Sequence, residues 1–69
     1  MQRSQIAENV EEIIAERGLK KVAVAQKAGF SIQQFSAMLR GRRIIKDTDI
    51  TAIALALDVT PNELFGIRP

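Results

Sequence analysis

The run from Lys21 to Arg40, KVAVAQKAGFSIQQFSAMLR, constrains the fold of this chain more than any other segment. Its spacing predicts two short helices joined by a tight turn. Ala25 is small enough to let the second helix cross close by. Gly29 can adopt a positive φ, which reverses the chain without steric cost.

Apolar and capping residues in the same run support this interpretation. Four apolar side chains are expected to face inward from the two helices: Val24, Ala28, Phe35 and Met38. Ser31 is expected to cap the second helix, and Gln34 completes a capping box at the third helical position. Such a unit lays its second helix in the major groove of DNA. The segment 21–40 therefore predicts a helix-turn-helix, with Ala25, Gly29, Phe35 and Met38 as its structural positions.

The remainder of the chain predicts three further helices. The first carries one apolar face, formed by Ile6, Val10, Ile13 and Ile14. Gly18 ends it, and Leu19 is expected to fold back onto the core. The first three helices are expected over about 4–17, 20–28 and 32–40, the third being ended by Gly41.

Two helices are predicted after the motif. Asp47 or Thr48 is expected to cap the fourth, which is apolar almost all round between residues 52 and 57 and so should be central. Thr60 as N-cap, proline at the next position and Glu63 at the third helical position predict a short fifth helix ending near residue 66. No period-two alternation predicts a strand, so the expected fold class is all-α.

Length and composition limit what such a chain can do. Its 69 residues are expected to make one domain over 1–69, with a core too small to build a deep catalytic pocket as well. The absence of Cys and His removes disulfides, thiolate metal sites and the usual general base near neutral pH. We therefore expect no enzyme activity, no metal, no cofactor and no small-molecule ligand. The chain has no run of about 18 apolar residues and no secretory h-region, so we expect a cytoplasmic protein without membrane contact.

Charge is distributed unevenly along the chain, although the net charge is only +2. The first helix carries the acidic residues Glu8, Glu11, Glu12 and Glu16. Basic residues cluster in and after the motif: Lys20, Lys21, Lys27, Arg40, Arg42, Arg43 and Lys46. This asymmetry predicts a basic strip beside the second helix of the motif. The alternative, an ordinary solvated charged surface, stays open on charge alone.

Two separate patterns resemble the Cro and lambda-repressor-like family, also called Xre-like regulators. The first is VAQKAGFSIQQFSAMLRGRR, and the second is LDVTPNELFG after an Ala-Leu-rich helix. The resemblance covers about residues 6–66. It implies a compact five-helix lambda-repressor-like domain whose helices 2 and 3 form the helix-turn-helix. It also implies a transcriptional regulator, a repressor acting as a homodimer on a pseudo-palindromic operator in double-stranded DNA. The alternative is an antitoxin or a restriction-modification controller protein of the same fold.

The chain departs from the family pattern at two positions. Many members begin helix 2 with a Thr or Ser cap followed by a phosphate-binding Gln, whereas this chain has Lys20 and Lys21. The cap should therefore be weaker, and a lysine must supply the phosphate contact. Ile32 occupies the first position of helix 3, where phage repressors often have Gln. It is expected either to make an apolar contact with DNA or to pack under helix 2.

The outward face of helix 3 supplies the candidate DNA contacts. At about 100° per residue, Gln33, Ala37 and Arg40 lie opposite Phe35. The Gln33 amide matches adenine N6 and N7, and Ala37 suits a thymine methyl group. The candidate base-reading residues are Ser31, Ile32, Gln33, Ser36 and Ala37. The candidate phosphate-binding residues are Lys21, Gln26, Arg40, Arg42, Arg43 and Lys46.

Other interpretations remain open for several of these positions. Gln33 and Ser36 also suit an ordinary solvent-facing helix, and the pair Ile44 and Ile45 suits a loop anchor. Leu55 is either part of the core or part of a subunit contact. A protein-interaction module that reuses the helical scaffold is a third class of function.

Overall fold

The computed structural model describes residues 4–67, which form five helices and contain no strand. They are α1 (Gln5–Glu16), α2 (Lys21–Ala28), α3 (Ile32–Leu39), α4 (Asp47–Leu57) and α5 (Pro61–Leu64). The predicted all-α fold is confirmed, with the helix limits shifted by one or two residues. Across this part of the chain, no helix combines the length and the apolar content that crossing a bilayer would require.

The two helices of the motif meet as the sequence predicts. Gly29 adopts φ +85° directly after α2, and the N–H of Phe30 donates to the Ala25 carbonyl at 2.9 Å. Ser31 then caps α3: its Oγ accepts from the N–H of Gln34 at 3.1 Å, and its own N–H donates to Gln34 Oε1 at 3.0 Å. This reciprocal pair is the predicted capping box. Three residues, 29–31, therefore suffice to reverse the chain between α2 and α3.

Each of the five helices in residues 4–67 ends in the same hydrogen-bonded turn. Two or three residues past the helix end, a backbone N–H donates to the carbonyl five positions back, as from Leu19 to Ile14 at 3.0 Å and from Val59 to Ala54 at 3.0 Å. The residue directly before the donor has a positive φ each time, and Asp58 is the one non-glycine example within residues 4–67. This Schellman motif satisfies the terminal carbonyls and turns the chain sharply.

The core is built from one face of each helix. Its members are Ala7, Val10, Ile13 and Ile14 from α1, Val24 and Ala25 from α2, Phe35, Met38 and Leu39 from α3, Ile50, Ile53, Ala54 and Leu57 from α4, and Leu64 from α5. The inward contacts predicted for Val24, Phe35 and Met38 are confirmed, and Ala28 packs half-buried against the core. Ala25 is fully buried on α2, the helix that packs against both α3 and α4.

Three predictions about individual residues are wrong. Leu19 does not fold onto the core: its side chain is 41% exposed, because the turn after α1 binds its backbone N–H without burying its side chain. α4 is capped by neither Asp47 nor Thr48, since Lys46 is the N-cap and its N–H donates to the Asp49 carboxylate at 3.0 Å. α4 is also not enclosed on all sides, because Leu55 points away from the core and is 77% exposed.

Two long-range hydrogen bonds fasten α1 to the C-terminal helices. The buried Asn9 side chain donates from Nδ2 to the Leu64 carbonyl at 2.8 Å and accepts from Gln5 Nε2 at 3.2 Å. The Arg17 guanidinium donates to the Leu57 carbonyl at the end of α4. A cation is favoured there by the helix dipole. The Thr60 cap of α5 is confirmed, with its Oγ1 accepting from the Glu63 N–H at 3.4 Å.

Enlarging Ala25 tests whether the crossing of α2 and α3 controls stability. Ala25→Leu adds methylene groups at a position with no exposed surface, and such overpacking costs about 1–3 kcal/mol. A thermal melt followed by circular dichroism should show a clearly lower midpoint. Ala23→Leu, at an exposed position of the same helix, is the matched control and should leave the midpoint nearly unchanged. Equal midpoints for the two variants would mean that the close crossing lies elsewhere.

Candidate nucleic-acid interface

The solvent-facing side of α3 forms a shallow concave surface. Phe35, Met38 and Leu39 are buried on the opposite side, which fixes the rotation of the helix about its axis. The residues that line this concave surface are Ile32, Gln33, Ser36, Ala37, Arg40 and Arg42. It thus brings together every predicted base-reading residue except Ser31, with two of the predicted phosphate-binding arginines. We call it the α3 surface.

The N-terminal residues of α3 divide between contact and capping roles. Ile32 is 36% exposed and lines the α3 surface, so the interpretation that places it under α2 is wrong. Gln33 is exposed, with Ser36 and Ala37 half-buried beside it. Ser31 lies outside the concave surface, and its Oγ accepts the Gln34 N–H. Its hydroxyl hydrogen can still be donated, so the predicted contact of Ser31 with a base stays a prediction.

Arginines border the C-terminal end of the α3 surface. Arg40 is the C-cap of α3, and the N–H groups of Arg42 and Arg43 both donate to the Ala37 carbonyl, at 2.9 and 3.3 Å. This shared acceptor holds the loop against the helix. Within residues 4–67, none of these three side chains is in an ion pair, and all three are exposed. Their guanidinium groups are therefore available to an external anion.

The loop that follows is anchored by one isoleucine of the predicted pair. Ile45 packs half-buried against the core, as a loop anchor should, whereas Ile44 is 81% exposed. A second concavity lies beside this loop. Its lining consists of Ser4, Ile6, Met38, Gly41, Arg42, Arg43, Ile44 and Ile45. Arg42 thus lines both concave surfaces, whereas Arg43 lines only the second.

The beginning of α2 differs from the family pattern as expected. Lys20 occupies the N-cap and makes no side-chain capping hydrogen bond, which confirms the weak cap. The Lys21 ammonium forms an ion pair with Glu11 of α1, with 2.9 Å between Nζ and Oε1. Sequence reasoning assigned no role to Glu11, because the pairing depends on how α1 and α2 lie together rather than on any local spacing.

The last two predicted phosphate-binding residues lie apart from the α3 surface. Gln26 of α2 and Lys46 are both exposed, and neither lines the two concave surfaces described above. Lys46 precedes Asp47 and Asp49 in the first turn of α4. Those carboxylates suit the helix dipole, but they oppose the approach of a phosphate. Contact of Gln26 and Lys46 with phosphate stays a prediction.

The whole chain can now be compared with known proteins. Residues 9–69 match the profile of the family described as Cro/C1-type HTH DNA-binding domain. The chain belongs to this family. It is therefore a DNA-binding helix-turn-helix regulator of Cro/C1 type, and the predicted resemblance is confirmed. No match was found among the curated proteins.

Two solved structures are similar to this family member over most of its length. The restriction-modification controller protein C.AhdI from Aeromonas hydrophila shares 28% sequence identity, with a TM-score of 0.82; the alignment covers 88% of this chain and 92% of that one. The DNA-binding domain of the P22 C2 repressor shares 18% identity, with a TM-score of 0.81, covering 94% of this chain and 86% of that one. At 18% identity the second likeness supports the fold alone.

Removing single arginines tests the basic border of the α3 surface. Arg42→Ala or Arg43→Ala should weaken binding to operator and random duplexes alike, because phosphate contacts are independent of sequence. Each lost contact should flatten the slope of log affinity against log salt by about 0.9. Titrations at several salt concentrations measure this slope. Lys27→Ala removes one positive charge from an exposed position of α2 and should change the slope much less. An unchanged slope for an arginine variant removes that residue from the phosphate contacts.

Proposed function

We propose that this protein is a sequence-specific transcriptional regulator, a repressor that binds a pseudo-palindromic operator as a homodimer with α3 in the major groove. The observation that carries the proposal is the α3 surface, where uncharged side chains of different hydrogen-bonding character occupy the outward face and arginines border one end. Such an arrangement separates base reading from phosphate binding. The family to which the chain belongs supports the same use of the surface.

Each residue of the α3 surface has a role suited to its chemistry. Gln33 is exposed at the second position of the helix. Its Nε2 can donate to adenine N7 while its Oε1 accepts from the adenine N6 amino group, which is the bidentate mode. Ile32 and Ala37 can contact thymine methyl groups, and the Ser36 hydroxyl can donate or accept. Arg40 and Arg42 would bind the phosphates that flank the bases.

A homodimer is supported by the surface of α4 and α5. Three large apolar side chains are exposed on α4 or just after α5: Leu55 at 77%, Phe65 at 50% and Ile67 at 63%. Two charged residues lie between residues 51 and 67: Asp58, which is exposed, and Glu63, which is half-buried. A two-fold interface brings the same patch of both subunits together, so an uncharged apolar patch suits it. The acidic face of α1 and the basic border of α3 would repel their own copies.

A dimer also solves a problem of specificity. One helix reads only three or four base pairs, which is too few to single out a site in a genome. Two copies of α3 about 34 Å apart would read two half-sites one turn of DNA apart. Each subunit measures 31 × 25 × 22 Å, so two molecules side by side can achieve this spacing.

A restriction-modification controller is the second candidate, favoured by the 28% identity to C.AhdI over most of both chains. Both candidates bind operators through the same surface, so they differ in the genes that are controlled. Selection of bound sequences from random duplex DNA would give the half-site and its spacing. An operator located upstream of restriction or methyltransferase genes would favour the controller, and one located elsewhere would favour the general repressor.

Gln33→Ala tests base reading by the α3 surface. Loss of the bidentate amide should cost about 1–3 kcal/mol on the selected operator while sparing random DNA. The preference for an A·T pair should relax at one symmetric position in each half-site. Competition binding on single-base operator variants measures both effects.

Two comparisons make the test of Gln33 specific. Gln34→Ala alters the neighbouring glutamine, whose side chain is held by the Ser31 N–H in the capping box, and should lower stability more than base preference. Ile32→Ala should show a smaller loss concentrated at a thymine. If Gln33→Ala weakens operator and random DNA equally, Gln33 does not read a base, and that role passes to Ile32, Ser36 or Ala37.

Leu55→Glu tests the proposed dimer surface. A carboxylate in an apolar two-fold contact meets its own copy, so the dimer Kd should rise by about tenfold or more. Sedimentation equilibrium measures the Kd, and a thermal melt checks that the fold is intact. Ile44→Glu changes an equally exposed isoleucine outside the α4–α5 surface and should leave the dimer unchanged. If only Ile44→Glu dissociates the dimer, the interface lies at the loop after α3 instead.

A further inference from the structure

Lys21 and the arginines beside α3 are in different electrostatic situations. The Lys21 ammonium lies 2.9 Å from Glu11 Oε1, and the two side chains are 51% and 31% exposed. By contrast, Arg40, Arg42 and Arg43 have no carboxylate partner within residues 4–67. The cation that the sequence predicts for the phosphate contact of α2 is thus already neutralised within the protein.

The position of this ion pair makes it relevant to DNA. Lys21 is the first residue of α2, and no side chain caps the N–H groups of that turn. Helix N-termini favour phosphate, so α2 has a suitable end for one. Glu11 places a carboxylate at the same end of the helix. Like charges within a Debye length of about 10 Å at 0.1 M salt repel each other, so Glu11 opposes a phosphate that approaches Lys21.

We propose that Glu11 is a negative determinant of DNA affinity, which holds Lys21 in an internal ion pair and suppresses its contact with phosphate. The inference rests on the proposed function and deepens it. To bind phosphate, the ammonium must give up its contact with the Glu11 carboxylate, whose negative charge remains near the beginning of α2. The exchange therefore yields little net attraction. Phosphate binding is carried by the arginines beside α3.

Suppressing one phosphate contact lowers affinity for every DNA sequence. Phosphate contacts contribute equally on every sequence, whereas base contacts contribute only on the operator. The genome offers a vast excess of non-specific sites. A smaller contribution of phosphate contacts to the binding free energy shortens the time that the protein spends on each of these sites. Glu11 thus lowers affinity for operator and random DNA by the same factor, without touching a base.

Glu11→Gln tests this inference on the full chain, using a selected operator and a random duplex. The variant keeps the side-chain size and frees Lys21. The affinity per bound subunit should rise about eightfold at about 0.1 M salt on both duplexes, and the salt slope should steepen by about 0.9. Glu12→Gln removes the same charge from the adjacent, exposed position and should raise affinity less than about twofold.

A double-mutant cycle isolates the pair. Lys21→Ala should change the salt slope little in the wild-type background, but it should abolish the gain of Glu11→Gln when the two are combined. Thermal melts check that all variants remain folded, since exposed ion pairs contribute little to stability.

The outcomes separate this inference from the proposed function. Equal gains for Glu11→Gln and Glu12→Gln would reduce the effect to net charge and overturn the inference alone. A loss of affinity in Glu11→Gln would also overturn it, because Glu11 would then position Lys21 for phosphate. If the wild-type chain shows no salt-dependent binding to any duplex, the proposed function fails and this inference falls with it.

Discussion

The packing of α3 against the core determines which side chains this helix presents to solvent. Ala25 of α2 is fully buried in the same core, and the burial of Phe35 and Met38 fixes the rotation of α3. Once that rotation is set, Gln33 and Ala37 necessarily face solvent, because they lie opposite Phe35 on a helix of 3.6 residues per turn. The chemistry of the α3 surface is thus a consequence of packing on the other side of the same helix.

Sharp helix ends make this packing possible in so short a chain. Gly29 has nothing within 4 Å of the position a Cβ would take, so its requirement is for the left-handed backbone rather than for space. The turn it forms is repeated after every helix of residues 4–67. Short connections leave few residues outside the helices, and a small domain must use nearly every apolar helix face to bury a sufficient core. Short turns therefore leave more residues for the helices whose apolar faces form the core.

The sequence predicted those features that depend on local hydrogen bonds and helical periodicity. The Ser31 capping box, the Gly29 reversal and the outward face of α3 all follow from residues within one or two turns of each other. Two of the three errors concern long-range packing, whereas the N-cap of α4, which is Lys46 rather than Asp47 or Thr48, is a local error. Whether Leu19 or Leu55 is covered depends on which helices lie nearby, and the pairing of Lys21 with Glu11 depends on how α1 and α2 cross. None of these has a signal in local spacing.

The distribution of charge also follows from the way the helices are arranged. A net charge of +2 gives only a weak general attraction to DNA, so a useful field must be local. The unpaired arginines at the end of α3 provide such a field next to the bases that α3 would read. The acidic residues of α1 lie on a separate helix, and within residues 4–67 Glu11 is the one that forms an ion pair with Lys21 of the motif. The electrostatic attraction to DNA is consequently concentrated beside α3, where bases would be read. It is reduced at the beginning of α2, where a phosphate contact would strengthen binding to every sequence equally.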